Sequence, residues 1–209
     1  MGVLNLKKPI VVSAYSCSGK TWIIENIKES FILPSDLEVI ELDYCDYKFE
    51  ERFPSELEVA NYNATGTYEN TLIGQDYFTR KFANTKKLYP NKDWPGNFIQ
   101  EINESTADAI LVDSAMALRQ ILSQNGIEYV TAYPKMFMKN EWVGRAFLND
   151  KNPKIMARHW EYDLIHLKEE PHGKRIYWIG RTDPYLESTL LDVIHDYVDE
   201  EKYDIRENS

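Results

Sequence analysis

The densest chemistry in the chain lies between Ile10 and Thr21, in the segment IVVSAYSCSGKT. A run of β-formers, Ile10-Val11-Val12, stops at a small-residue turn and then meets Gly19-Lys20-Thr21 at the start of an apolar helical pattern. That order predicts a strand, a phosphate loop and a helix. The loop residues Tyr15, Ser16, Cys17, Ser18 and Gly19 would turn backbone N–H groups toward an anion, and the helix start would add partial positive charge. Lys20 supplies a full charge for phosphate oxygens, and Thr21 a hydroxyl for a magnesium ion. The full pattern is G-x-x-x-x-G-K-[ST], and Ala14 stands at its first glycine. A serine-rich turn before a helix is the plainer alternative.

Other acids and cations could join such a site. Leu37 to Leu42, LEVIEL, alternates as a second strand and empties into Asp43-Tyr44-Cys45-Asp46-Tyr47. In open parallel sheets ligands bind outside the carboxyl ends of strands, so Asp43 or Asp46 would face a bound phosphate there; a solvated loop with a turn-forming aspartate is the other reading. Ala109 to Asp113, AILVD, is an apolar strand ending in an acid, the form in which a carboxylate holds magnesium through water, and also the form of an ordinary turn aspartate. A helix over about 137–148 places Val143 and Phe147 on one face and Arg145 nearly opposite. Arg145 then projects either as a lid arginine that neutralises a moving phosphoryl group or as a surface residue that keeps the helix soluble.

The elements that must hold these groups follow from periodicity. Ile23, Ile24, Ile27 and Phe31 recur at helical spacing until Pro34. Ala117, Leu118, Ile121 and Leu122 form a helix face that stops at Asn125-Gly126, with Arg119 one residue off that face. Ile127 to Ala132 is a fourth strand and Arg175 to Ile179 a fifth. Ile155 to Leu167 is a helix with Trp160 and Leu164 inward, and Leu186, Leu190, Val193 and Ile194 mark a last helix. Five strands alternating with helices predict an α/β protein with three α/β/α layers and a five-stranded, mostly parallel sheet. Residues 48–90 are irregular, with short helices over Glu56 to Tyr62 and Gln75 to Phe82 and a loop over Asn61 to Thr71. A shaped loop follows, in which Trp94 and Phe98 offer aromatic surfaces before a helix from Phe98 to Glu104. The expected organisation is one domain over 1–209, with a substrate-side insertion at about 48–98 and a lid at about 135–158.

The chain has 209 residues, enough for one substantial core. No apolar run reaches the ~18 residues of a membrane span. The N-terminus runs straight into the first strand without signal-peptide features, which with Cys17 and Cys45 lacking any metal-ligand spacing predicts a cytoplasmic protein. The four histidines share no ligand spacing. A net charge of −10 speaks against a protein whose main task is gripping nucleic acid. Its distribution qualifies this, because Arg80, Lys81, Lys86, Lys87 and Lys92 fall in a stretch without acids, while Glu187 to Glu207 carries eight acidic residues. A local anionic site on an acidic protein remains compatible with that layout.

Several stretches together resemble one family, the phage 5-hydroxymethyldeoxyuridine DNA kinases of the P-loop kinase superfamily. They are the phosphate loop, Asp93-Trp94-Pro95-Gly96-Asn97-Phe98-Ile99, Arg119 within Ala117 to Leu122, Asn125-Gly126-Ile127, Tyr133-Pro134, Lys139-Asn140-Glu141-Trp142 with Arg145, and Trp160. The middle insertion, Ala14 and Asp113 depart from the family pattern. The resemblance implies transfer of the ATP γ-phosphate to the hydroxymethyl group of a thymine-like base already in DNA. Lys20 and the loop would then hold the ATP phosphates, Thr21 and Asp113 the magnesium ion, and Asp43 or Asp46 the acceptor hydroxyl. Arg145, helped by Lys139 and Arg119, would neutralise charge on the moving group. Trp94, Tyr44 and Tyr47 would face a base drawn out of the stack, or else pack beneath the insertion. The alternatives are a kinase of a free nucleotide or other small metabolite, and a non-catalytic ATP-binding regulatory protein.

Overall fold

A computed structural model describes residues 8–65, 86–149, 151–166, 175–180 and 185–207. Its centre is β1, Ile10–Ala14, buried at every position. Both of its edges are taken, by β5 (Ala109–Asp113) and by β6 (Tyr129–Pro134), each in parallel register. Burial of consecutive residues rather than alternate ones means that both faces are covered as well, which is why these strands read as unbroken apolar runs. Two further parallel strands, β2 (Val39–Leu42) beside β5 and β7 (Ile176–Ile179) beside β6, complete the order β2-β5-β1-β6-β7. The fold is therefore α/β with a five-stranded, all-parallel sheet.

Helices follow the strands as the periodicity predicts. The helix α1 (Lys20–Asn26) leaves the loop after β1 and buries Ile23. Downstream of β5, α5 (Met116–Gln124) ends at Asn125, with Gly126 at φ 69° supplying the left-handed turn that closes a helix. Beyond β6 a 3-10 turn leads into α6 (Lys139–Leu148) and then α7 (Pro153–His166), and α8 (Leu186–Glu207) seats Leu186, Leu190, Val193 and Ile194 in the core. No helix among the described residues is long and apolar enough to cross a membrane.

Three expectations about helix faces give way. Phe31 is exposed and lies beyond α1, because the Ser30 hydroxyl accepts the N–H groups of Ile32 (3.0 Å) and Leu33 (2.8 Å) and turns the chain away from the helix. In α6 the buried residues are Trp142 and Ala146, not Val143 and Phe147; the stripe is rotated by one residue, and Phe147 is exposed. Arg119 belongs to the buried face of α5, beside Leu118 and Leu122.

The chain divides into two compact units, Met1–Leu42 with Glu104–Ser209, and Asp43–Asn103. Within the second, α2 (Tyr44–Lys48) leads into β3 (Phe49–Arg52), which pairs antiparallel with β4 (Lys87–Pro90). This small sheet was not expected from the irregular sequence. The helix α3 (Glu56–Thr65) replaces the start of the expected loop over Asn61 to Thr71. The rest of that loop, the expected helix over Gln75 to Phe82 and the turn at Pro171-His172-Gly173 lie outside the described residues. The last helix of the unit is α4 (Gly96–Glu104), which buries Phe98 and Ile102.

A capping box starts α3. The Ser55 hydroxyl accepts the Glu58 N–H (3.3 Å) while the Glu58 carboxylate accepts from the Ser55 N–H and hydroxyl, both at 2.7 Å. The same carboxylate takes two bonds from Arg52, at 2.9 and 3.2 Å, and the Arg52 guanidinium lies 3.5 Å over the buried Tyr89 ring. Arg52 and the Ser55 donors together hold the Glu58 carboxyl down at about 2, from an ordinary 4.5. A depressed folded-state value gives stability that is complete above the ordinary value and disappears as pH falls through the folded one. Acid titration of thermal stability should therefore show a loss between about pH 4.5 and pH 2 that Glu58→Gln lacks. With Arg52 40% exposed, solvent screening limits the Glu58→Gln penalty at neutral pH to about 1 kcal/mol.

Candidate phosphate site

The carboxyl end of β1 opens into residues 15–19, and this turn is built by two left-handed residues, Cys17 at φ 63° and Gly19 at φ 99°. A side chain in that region costs ~1–2 kcal/mol, so its use at Cys17 marks a turn whose shape is fixed by something other than local preference. The turn is tied at several points. The Tyr15 N–H donates to the Ala132 carbonyl (3.0 Å), the Ser18 N–H to the Tyr15 carbonyl (3.2 Å), and the Leu186 N–H to the Ser18 carbonyl (3.0 Å). The Trp142 indole N–H donates to the Ser16 carbonyl at 2.9 Å. Among the described residues, the amides of Ser16, Cys17 and Gly19 have no backbone acceptor.

Tyr15 differs from its expected role. Its amide is spent on β6 and its ring is core, 4.8 Å from Tyr133 and 5.8 Å from Trp160. The loop amides left without a backbone acceptor among the described residues are those of Ser16, Cys17 and Gly19. The Ser18 hydroxyl is buried without a hydrogen-bond partner among the described residues.

The side chains that follow converge on one carboxylate. The Lys20 ammonium reaches back along the turn to the Ala14 carbonyl at 3.4 Å and lies 4.0 Å from Glu41. The Thr21 hydroxyl donates to the other oxygen of Glu41 at 2.9 Å. Glu41 sits on β2, in register with Leu111 of β5, and its side chain is 26% exposed. Sequence reasoning passed over it as a polar position of an alternating strand. Its place one residue from the carboxyl end of that strand was the available signal.

Asp113 ends β5 beside Ala14, as expected, but its carboxylate accepts the Ser114 N–H at 2.7 Å in a local turn. Hydroxyl and carboxylate oxygens are the hard donors that magnesium takes, and Thr21 with Glu41 provide both side by side. No group of three or more His, Cys, Asp or Glu among the described residues is arranged to hold a metal.

Arg145 does not project freely. Its guanidinium pairs with Glu141 at 2.5 Å and lies 4.2 Å from the Trp142 ring and 4.5 Å from the Tyr185 ring, leaving the side chain 12% exposed. Because the buried stripe of α6 runs through Trp142 and Ala146, Arg145 falls at its flank rather than opposite it. Lys139 is the first residue of α6 and half-buried. Arg119 is 2% exposed, its guanidinium 5.6 Å from the Tyr133 ring. From the segment after α6 the Lys151 ammonium reaches the loop and donates to the Ser16 hydroxyl at 2.8 Å.

Asp43, Tyr44, Asp46 and Trp94 all belong to the second unit. The Asp43 carboxylate caps α2 by accepting the Cys45 N–H at 2.9 Å, and Asp46 lies exposed in the first turn of that helix. Tyr44 and Trp94 are 6.1 Å apart, Trp94 and Phe98 5.7 Å, and Tyr47 and Phe98 5.2 Å, so these rings pack on one another. The Asn97 amide donates to the Tyr47 carbonyl at 2.9 Å and ties α4 to α2. Tyr44 and Trp94 each keep part of their surface open to solvent.

No protein-family model matches the chain, and a search of the curated proteins finds no match to it.

Proposed function

We propose that this chain is an ATP-dependent phosphotransferase of the P-loop kinase type, with three α/β/α layers, and that its acceptor is the hydroxymethyl group of 5-hydroxymethyluracil in phage DNA. The observation that carries the nucleotide half is the turn after β1. It joins left-handed residues, unpaired amides, the Lys20 ammonium and the Thr21 hydroxyl at the carboxyl end of a central parallel strand. Open α/β sheets bind ligands at that place, where strand order reverses. The acceptor half rests on the residue pattern from Asp93 to Trp160.

In this mechanism Lys20 and the amides of Ser16, Cys17 and Gly19 would hold the ATP phosphates. Thr21 and Glu41, or Asp113, would hold a magnesium ion, which when bound would offset charge on the phosphate oxygens. The acceptor oxygen would bond to the γ-phosphorus as the bond to the leaving ADP oxygen breaks, and the hydroxyl proton would pass to a carboxylate or to water. Positioning and electrostatics account for most of what such a reaction needs from a protein.

A second acceptor, a free nucleotide, is favoured by the net charge of −10, since a small pocket needs only local positive charge. Transfer of labelled γ-phosphate to DNA containing 5-hydroxymethyluracil, beside the free monophosphate and ordinary DNA, separates the two. Label is expected in the modified DNA alone, with a steep loss of activity as salt rises. Label in the free nucleotide alone would move the chain to metabolite kinases, and nucleotide binding without transfer would make it a binding protein.

A further inference from the structure

The turn after β1 receives a second ammonium group that the glycine-lysine-threonine pattern does not contain. Lys151 lies between α6 and α7, where its own N–H donates to the Ala146 carbonyl at 2.8 Å and extends the end of α6. That anchor delivers its side chain to the Ser16 hydroxyl at 2.8 Å. Ser16 is fixed from the same helix through the Trp142 indole. Among the described residues Lys151 meets no carboxylate, whereas the Arg145 charge is matched by Glu141 and its faces are covered by two rings. Of Arg145 and Lys151, Lys151 is, among the described residues, the one whose charge no carboxylate matches.

Position decides which phosphate it serves. Thr21 lies on the helix side of the turn, while the Lys20 ammonium reaches back to the Ala14 carbonyl at 3.4 Å. Ser16 is on the strand side, where its amide and that of Cys17 have no backbone acceptor among the described residues, so a phosphate there meets those N–H groups and the Lys151 ammonium beside the Ser16 hydroxyl. We propose that Lys151 binds the terminal phosphate of a nucleoside triphosphate held on this turn, in the role the sequence suggested for Arg145. The inference rests on the phosphotransferase reading of the site.

Equilibrium titration of ATP, ADP and inorganic tripolyphosphate into the full chain tests it without any knowledge of the acceptor. Lys151 is exposed, so its replacement leaves the core untouched. Lys151→Ala should weaken ATP and tripolyphosphate by about 10- to 100-fold and ADP by far less, with Lys151→Arg restoring most of the loss. Arg145→Ala should shift these affinities less than Lys151→Ala does. Equal weakening of ATP and ADP, or no change in either while Lys20→Ala abolishes binding, would overturn the assignment and leave the phosphate site standing. A native chain that binds none of the three ligands would remove the phosphate site and Lys151's role together.

Discussion

Lys20→Ala is expected to abolish nucleotide-dependent phosphate transfer while leaving the fold in place. The Lys20 ammonium lies 3.4 Å from the Ala14 carbonyl and 4.0 Å from Glu41, so alanine forfeits one long hydrogen bond and one loose ion pair. What is lost is the one full charge that the phosphate pattern itself supplies. Removing a single preorganised donor from a site of developing negative charge lowers turnover by about 10²–10³-fold, and an ammonium group inside a turn of amides belongs at the upper end. Labelled ATP with the proposed acceptor gives the rate, and circular dichroism with thermal melting gives the fold. Full turnover by the alanine variant would take away the proposed function.

Glu41→Gln should separate affinity from metal dependence. The Glu41 carboxylate accepts the Thr21 hydroxyl at 2.9 Å and lies 4.0 Å from Lys20, and it would repel an incoming triphosphate unless a cation stands between them. Glutamine keeps the shape and can still accept from Thr21, but the charge is gone. ATP binding in the presence of a chelator is therefore expected to tighten severalfold, the gain in affinity from added magnesium to shrink, and turnover to fall by about 10²-fold. Titrations with and without magnesium check the first two, and Asp113→Asn is the comparison. If Asp113→Asn removes the magnesium effect while Glu41→Gln leaves it intact, the metal carboxylate is Asp113, as the strand-end pattern had suggested.

The central strands β1, β5 and β6 were legible as the apolar runs that a two-sided sheet demands, with Val11, Val12, Ile110 and Val130 all buried as that demand requires, while β2 was marked by its alternation. The small antiparallel sheet was not. Phe49-Glu50-Glu51-Arg52 has no alternation to mark it, and its partner begins at Lys87, so nothing local announces the pair. The face of α6 was misjudged because Ala146 looks neutral in a sequence while Phe147 looks like core. The helix turns the small residue inward against Trp142 and leaves the large one exposed. Arg145 was misplaced by the same rotation. Arg119 was expected off the apolar face, yet its long stem takes it beside Tyr133, an arrangement that only the packed structure reveals. Glu41 needed knowledge of which strand end the loop would meet, and that is a fact of topology.

Topology also sets the order in which the chain can acquire its phosphate turn as it is made. β1 is made well before its two neighbours, which begin at Ala109 and Tyr129, so it waits unpaired through the synthesis of everything between. Contacts of such long sequence separation form slowly, and an exposed Ile-Val-Val strand with both edges open invites pairing with other chains. The Tyr15 amide that pins the turn finds its acceptor, Ala132, only once β6 exists. A nascent chain halted before Tyr129 would thus carry every residue from Ser16 to Thr21 without the β6 carbonyl that pins the turn, and nucleotide added during synthesis could assist folding of that turn only after Ala132 is made.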